Sequence, residues 1–521
     1  MMERRSFLHI AGAGMASSHL NPFGKKSTSW FDYFVPSNDH VLVIIQLEGG
    51  NDGLNTLIPI DQYDVYASIR KSVAIKSSDV LALNNTNKAA LHPSYDEIRG
   101  LYNEGRIKFI QSVGYPNPNY SHFRSTDIWM SGADADEIIP SGWAGRYLNY
   151  EFPNYPNGFP TAAAPDPLSV EIGYGQSLTF QGPTTGMAVT IADPDSFNAL
   201  IEDIETPLPN TLAGNKQAYL RLIRKQSNLY GDRLKLASKN ARNLTSYPNN
   251  TLADQLKIVA RLIAGGLKTN IYKVSISGFD NHDNQVNEAN HSIGTHANLL
   301  RTISTSVKAF MDDLEALKVG HRVIGMTVSE FGRRIVSNAS RGTDHGAAAP
   351  LMVFGNAVQG GILGNTPTIP VNAKVEDNIP MQYDFRSVYG SILEQWFCVN
   401  KQDVQKVLTH PYQSLHIIQP KYGCLATPSH DENVKLGKEI IKAYPNPFTS
   451  IVNFDIESNG QYAMISIYNP MGQLIANLYQ GILSQGAHKI YWNSEDHAVG
   501  NYYVRVQMGR DQQVKMISKV Q

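Results

Sequence analysis

The sequence predicts an α/β main domain, with helices packed on both faces of a sheet, followed by a small C-terminal β-sandwich. Three observations carry this. Apolar runs at Val41–Leu47, Ile271–Ser277, Val323–Ser329 and Leu351–Phe354 have the length and composition of buried strands. Helical spacing of apolar residues precedes two of these runs. After Cys424 the pattern changes to short alternating strands with turn residues between them.

At 521 residues the chain is longer than one typical domain, and 42% hydrophobic content allows a large core. The formal net charge is −1, with no basic stripe interleaved with aromatics, so nucleic acid is not an expected partner. No run of 18 consecutive apolar residues occurs, so no transmembrane segment is expected.

Residues 1–38 read as an export signal and leader. Arg4 and Arg5 stand before the short Gly/Ala-rich stretch Ile10–Ser18, the pattern of a twin-arginine (Tat) signal that engages the Tat translocase. The mature chain is expected to begin near Lys25–Asn38.

The main domain is expected over residues 39–425. His92–Gly105 reads as a helix and Arg106–Val113 as the strand after it. Glu151–Pro167 is a Pro/Ala/Asn-rich surface loop, and Lys216–Arg242 a long charged helical stretch, either an exposed hairpin or a cap. Leu252, Leu256, Val259, Ile263 and Leu267 mark a helix before the Ile271 strand. Leu299, Ile303, Phe310, Leu314 and Leu317 mark another before the Val323 strand. Alternation of helix and strand puts helical layers on both sides of the sheet. Cys398 and Cys424 are the only cysteines. One disulfide and two buried thiols both fit an exported chain.

Residues 426–440 are polar and aperiodic, as in a linker. Residues 441–521 then show strands at Ile451–Ile456, Ala463–Tyr468, Gly486–Trp492 and Tyr502–Met508. A sandwich of roughly 80 residues is near the lower limit for independent folding. Ala443-Tyr444-Pro445-Asn446-Pro447-Phe448, Ile465–Gln473 and Gly500–Val506 resemble the type A C-terminal sorting domain of the Bacteroidetes type IX (Por) secretion system. That resemblance implies the type IX machinery as a partner. It also implies export across the periplasm to the cell surface or beyond.

In the main domain, Gln46–Thr56, Tyr120–Trp129, Gly278–His282, Ser329–Arg333 and Thr343–Gly346 occur in an order that resembles a family of twin-arginine-exported bacterial proteins. That family is placed in the alkaline phosphatase/sulfatase superfamily. The resemblance implies an alkaline-phosphatase-like three-layer α/β/α domain with a mixed, mainly parallel sheet. It brings no substrate.

The candidate site follows from loops that adjoin buried strands, since ligands in α/β sheets gather beyond the carboxyl ends of strands. Asp280 and His282, two apart at an extended strand end, share a face and can converge on an ion; an Asx turn with a surface histidine is the plain alternative. Asp344 and His345 lie together between glycines, as in the superfamily's metal-binding Asp-His pairs. Glu330 is either a metal ligand, an acceptor behind a histidine, or a salt-bridge partner of Arg333 or Arg334. Asp52 occupies the place of the superfamily's first-strand metal ligand, although some relatives carry the acid where this chain has Asn55. Thr56 and Ser121 are the candidate nucleophiles. His122, Arg124, Arg333 and Arg334 are candidate anion-binding groups, guanidinium being suited to phosphate and sulfate. The sulfatase Cys/Ser-x-Pro-x-Arg signature does not occur. Imidazole with carboxylate favours zinc or manganese over calcium. Two functions stand at this level: a secreted metal-dependent hydrolase of phosphate or sulfate esters, or a non-catalytic surface protein that binds a glycan or other ligand.

Overall fold

The computed structural model describes residues 39–161, 164–194, 211–424, 441–460, 462–469, 474–508 and 511–520. The signal and leader, the proposed cleavage region and the linker lie outside the described residues. The described residues form two compact units, one up to Cys424 and one from Ile441.

The first unit is built on a nine-stranded sheet. Its strands are β1 (Val41–Glu48), β2 (Ile107–Gly114), β3 (Ser169–Ile172), β4 (Ala188–Ile191), β5 (Ile271–Ser277), β6 (Val323–Ser329), β7 (Ala349–Gly355), β8 (Gly361–Leu363) and β9 (Tyr383–Asp384). The order is β8-β2-β7-β6-β1-β5-β3-β4, with β9 also on β2. All pairings are parallel except those of β7, which runs against both β2 and β6. A mixed, mainly parallel sheet was the expectation. β3, β4, β8 and β9 are additions to it.

Alternation along β1 shows why the sheet is covered on both sides. Leu42 and Ile44 enter one core, and Val41, Val43, Ile45 and Leu47 enter the other. The first core includes residues of α2 (His122–Ser131), α3 (Trp143–Glu151), α7 (Phe385–Gln395) and α8 (Lys401–Leu408). The second includes residues of α1 (Asp96–Asn103), α5 (Thr251–Ala264) and α6 (Thr295–Ala316). In α5, the Asn250 side chain accepts from Ala253 N at 2.8 Å, an N-cap that satisfies an otherwise orphan donor. Leu252, Leu256, Val259 and Ile263 are buried along one stripe, and Gly265-Gly266 ends the helix.

The Lys216–Arg242 stretch is one helix rather than a hairpin: α4 runs Leu212–Asn240 and buries Tyr230, Leu234 and Ala237. Cys398 and Cys424 form a disulfide, which ties the end of this unit to the turn after α7.

The second unit is the expected sandwich, with three strands more than the alternation predicts. One sheet orders β10 (Ile441–Tyr444), β11 (Ile451–Asn459) and β14 (Gln485–Asn493). The other orders β13 (Leu474–Ile482), β12 (Tyr462–Tyr468), β15 (Gly500–Met508) and β16 (Asp511–Lys519). Val452, Phe454 and Ile456 of the first share a core with Ile465, Ile467, Val504, Val506 and Ile517 of the second. Among the described residues, no helix is long and apolar enough to cross a membrane.

Candidate functional site

Topology sends five loops to one edge of the sheet. β1, β5 and β6 are parallel neighbours, so the segments after Glu48, Ser277 and Ser329 leave together. β7 is antiparallel to β6, so the loop that enters it starts at that edge. β2 is antiparallel to β7, so the segment leading to α2 leaves there too.

Arg333 stitches these loops. Its side chain is fully buried. Nε donates to Gly50 O at 2.8 Å, Nη1 to Thr343 O at 2.7 Å, and Nη2 to Phe279 O at 3.0 Å and Asp280 Oδ1 at 2.8 Å. Nη2 also donates to Gly49 O. The expected anion clamp is therefore a strut, because the planar fork already has carbonyl partners on three loops. Gly49 allows that closeness. Its φ is +119°, and a Cβ there would lie 2.3 Å from Asp280 N.

Three imidazoles meet at Asp280, and each is oriented by an acceptor behind it. His282 Nδ1 faces Asp344 Oδ1 at 3.0 Å. His122 Nδ1 faces Glu330 Oε1 at 3.0 Å, and His345 Nδ1 faces Tyr120 O at 2.7 Å. Carbonyl and carboxylate oxygens only accept, so this network assigns the proton to each Nδ1 and leaves each Nε2 with a lone pair. His282 Nε2 and His345 Nε2 are then 2.8 Å apart, and Asp280 Oδ1 lies 3.1 Å from both. Among the described residues, His122 Nε2 is a buried atom without a hydrogen-bond partner, 3.4 Å from Asp280 Oδ2. Ligand atoms of His122, Asp280 and His345 all lie within 4.8 Å of one another. Lone pairs this close repel unless a cation or proton lies among them. Neighbouring ligands on a tetrahedral zinc ion are about 3.3 Å apart, so the donor set fits a divalent ion.

The remaining predicted residues divide by what already holds them. Asp344 and Glu330 stand behind histidines; Glu330 Oε1 also accepts from Gly49 N at 2.7 Å. Asp52 is not brought to the cluster. Its buried carboxylate is paired with Arg70, and Oδ2 accepts from Gln285 Nε2 at 2.6 Å. Thr56 is buried, and its hydroxyl donates to Asp52 O at 2.8 Å, so it is not presented as a nucleophile. Arg124 turns away, its Nη2 donating to Asp134 O at 3.0 Å and Ala135 O at 3.2 Å. Arg334 donates to His345 O at 3.2 Å and Val375 O at 2.9 Å. Ser121 is exposed at the N-cap of α2, one residue before His122. His122, expected to bind an anion, is instead grouped with the metal-type donors. Phe331 lies against His345 and His122 with ring centroids 4.6 and 5.0 Å apart, an apolar wall that the sequence did not single out.

Burial acts to raise the Asp280 carboxyl, but the Arg333 guanidinium that donates to it outweighs this and holds the group at about 2. Burial pushes the His345 imidazole below its ordinary value, against the opposing pull of the Tyr120 carbonyl and the Asp280 carboxylate. Asp280 therefore stays ionised well into acid, and proton competition on acidification falls on imidazole. Zinc affinity measured between pH 8 and pH 4 is expected to fall as the solution is acidified. An affinity flat over that range would mean that histidine nitrogen is not a ligand.

Residues 203–406 match the family described as a protein of unknown function, DUF1501, and residues 442–519 match the secretion system C-terminal sorting domain. The chain thus carries a DUF1501 region and a Por-type sorting tail, which marks it for export to the cell surface or the exterior. Comparison with curated proteins finds no match. Solved structures of the alkaline phosphatase superfamily are among its structural neighbours. One is a protein of that superfamily from Vibrio parahaemolyticus, 8% identical, with TM-score 0.34, covering 93% of this chain and 82% of that one. A phosphonate monoester hydrolase from Silicibacter pomeroyi is 9% identical, with TM-score 0.29 and coverage of 92% and 89%. The PsFucS1 sulfatase from Pseudoalteromonas sp. is 9% identical, with TM-score 0.31 and coverage of 87% and 84%.

Proposed function

We propose that this protein is an exported, metal-dependent hydrolase of phosphate or sulfate esters, with His122, Asp280, His282 and His345 holding the ion. The observation that carries the reading is the convergence of three imidazole Nε2 atoms on one carboxylate, each ring fixed by an acceptor at Nδ1. Three nitrogens and a carboxylate oxygen suit zinc or manganese better than calcium. A bound divalent ion would supply Lewis acidity, lowering the pKa of water or an alcohol and neutralising charge on the ester oxygens. The cluster's side chains are 21–48% exposed, so a substrate has access. Asp344 and Glu330 keep the rings in register, and Phe331 shields one side from water. Ser121 is the hydroxyl best placed along the chain to act as nucleophile.

The test is turnover of p-nitrophenyl phosphate and p-nitrophenyl sulfate by metal-loaded protein, with a chelator control. Chelator-sensitive hydrolysis of either ester supports the reading; full metal loading without turnover transfers the support to the binding protein. One observation favours that second reading: the Arg124 and Arg333 guanidinium groups are engaged by backbone carbonyls, so neither is presented as an anion clamp.

Export is proposed to run through the Tat translocase by Arg4 and Arg5, then from the periplasm through the type IX machinery by residues 441–521. Deleting 441–521 is expected to leave a folded main domain in the periplasm, as judged by cell fractionation. Normal arrival of the truncated chain at the surface would remove the sorting role. Changing Arg4 and Arg5 together to lysine is expected to stop export at the inner membrane.

A further inference from the structure

Beside β8, the outer strand of the main sheet, lies a cleft of about 410 Å³, a volume within the range of small-ligand sites. None of the cluster residues lines it. Its lining is polar and uneven in charge: it includes Asn85, Asn103, Gln111, Asn365, Tyr102 and Lys88, with no Asp or Glu among the lining residues. Gln111 sits within β2 and is only 2% exposed, so what little of it remains open faces the cleft it lines. Tyr102 is 6% exposed, its ring against Phe109 at 6.2 Å. Gly105 and Gly361, with φ of +77° and +107°, would each direct a Cβ into open space, so the backbone on both sides of the cleft is approachable.

We propose that this cleft binds a short acidic saccharide. Carboxamides and a phenol each offer donor and acceptor, which matches the paired donor and acceptor character of sugar hydroxyls. The single ammonium, without an acid beside it, suits a carboxylate or sulfate on the sugar. The site is separate from the metal-type cluster and stands whether or not the protein turns over an ester.

Calorimetric titration of the full chain with tetragalacturonate, with a chondroitin 4-sulfate tetrasaccharide, and with neutral cellotetraose tests this. At least one acidic tetramer is expected to bind one per chain and at least tenfold more tightly than cellotetraose; which one binds tells carboxylate from sulfate. Lys88→Ala, at an exposed position, is expected to reduce that preference at least tenfold with the melting temperature unchanged. Gln111→Met, which keeps the side chain's length, is expected to weaken all saccharide binding. The proposal is overturned if neither acidic tetramer binds, if cellotetraose binds equally well, or if both variants bind as the parent does.

Discussion

Replacing Arg333 with alanine is expected to destabilise the main domain by about 3–5 kcal/mol, the range for removing one partner from a buried charged network. The guanidinium holds carbonyls of Gly49, Gly50, Phe279 and Thr343, and each acceptor left buried without a partner costs about 1–3 kcal/mol. Asp280 is 48% exposed, so water screens its ion pair and most of the loss comes from the carbonyls. Thermal unfolding is expected to begin roughly 6–10 °C lower, at roughly 2 °C per kcal/mol for a domain of this size. Arg333→Lys should recover only a fraction, because an ammonium cannot span three loops. An unchanged melting curve for Arg333→Ala would mean that the loops are held by something else.

The second large effect separates ligands from the groups behind them. His282→Ala removes a nitrogen from the convergence point and is expected to abolish tight metal binding. Asp344→Asn removes only the charged acceptor behind His282 Nδ1 and is expected to weaken affinity about 10–100-fold, as loss of such partners does. Competition with a chromophoric chelator measures both. Equal losses for the two variants would make Asp344 a ligand, and no loss in either would remove His282 from the centre.

Much of the fold was legible because long apolar runs admit few alternatives. Val41–Leu47 is buried on both faces of the sheet, and composition alone says so. Short elements were missed where that signal is absent. Asp511–Lys519 forms a strand, but of Lys515–Lys519 only Ile517 is buried while Met516 is exposed, and Gln512, Gln513, Lys515, Ser518 and Lys519 make the run read as polar. Leu474–Ile482 includes Asn477, Gln480 and Gly481, which blur the alternation.

In the site, residue types and loop positions were legible and roles were not. Asp280, His282 and His345 stand together because two loops meet at one edge, a consequence of strand order. What decides the rest is which partner reaches each group across the fold. His122 looks like an anion-binding residue until Glu330, 208 positions away, is found at its Nδ1. Arg333 looks like a clamp until its carbonyl partners are seen. Asp52 looks like a ligand until Arg70 is found against it. Local sequence carries none of these long-range pairings.

Metal analysis of the purified full chain by inductively coupled plasma mass spectrometry, with X-ray absorption at the edge of the metal found, tests the central claim most directly. The geometry predicts roughly one tightly held zinc or manganese per chain, in a shell of imidazole nitrogen and carboxylate oxygen at about 2.0–2.2 Å for zinc. A chain that holds no divalent ion after exposure to zinc and to manganese would contradict it. The close approach of His282 to His345 would then be a shared proton, and the metallo-hydrolase reading would fall.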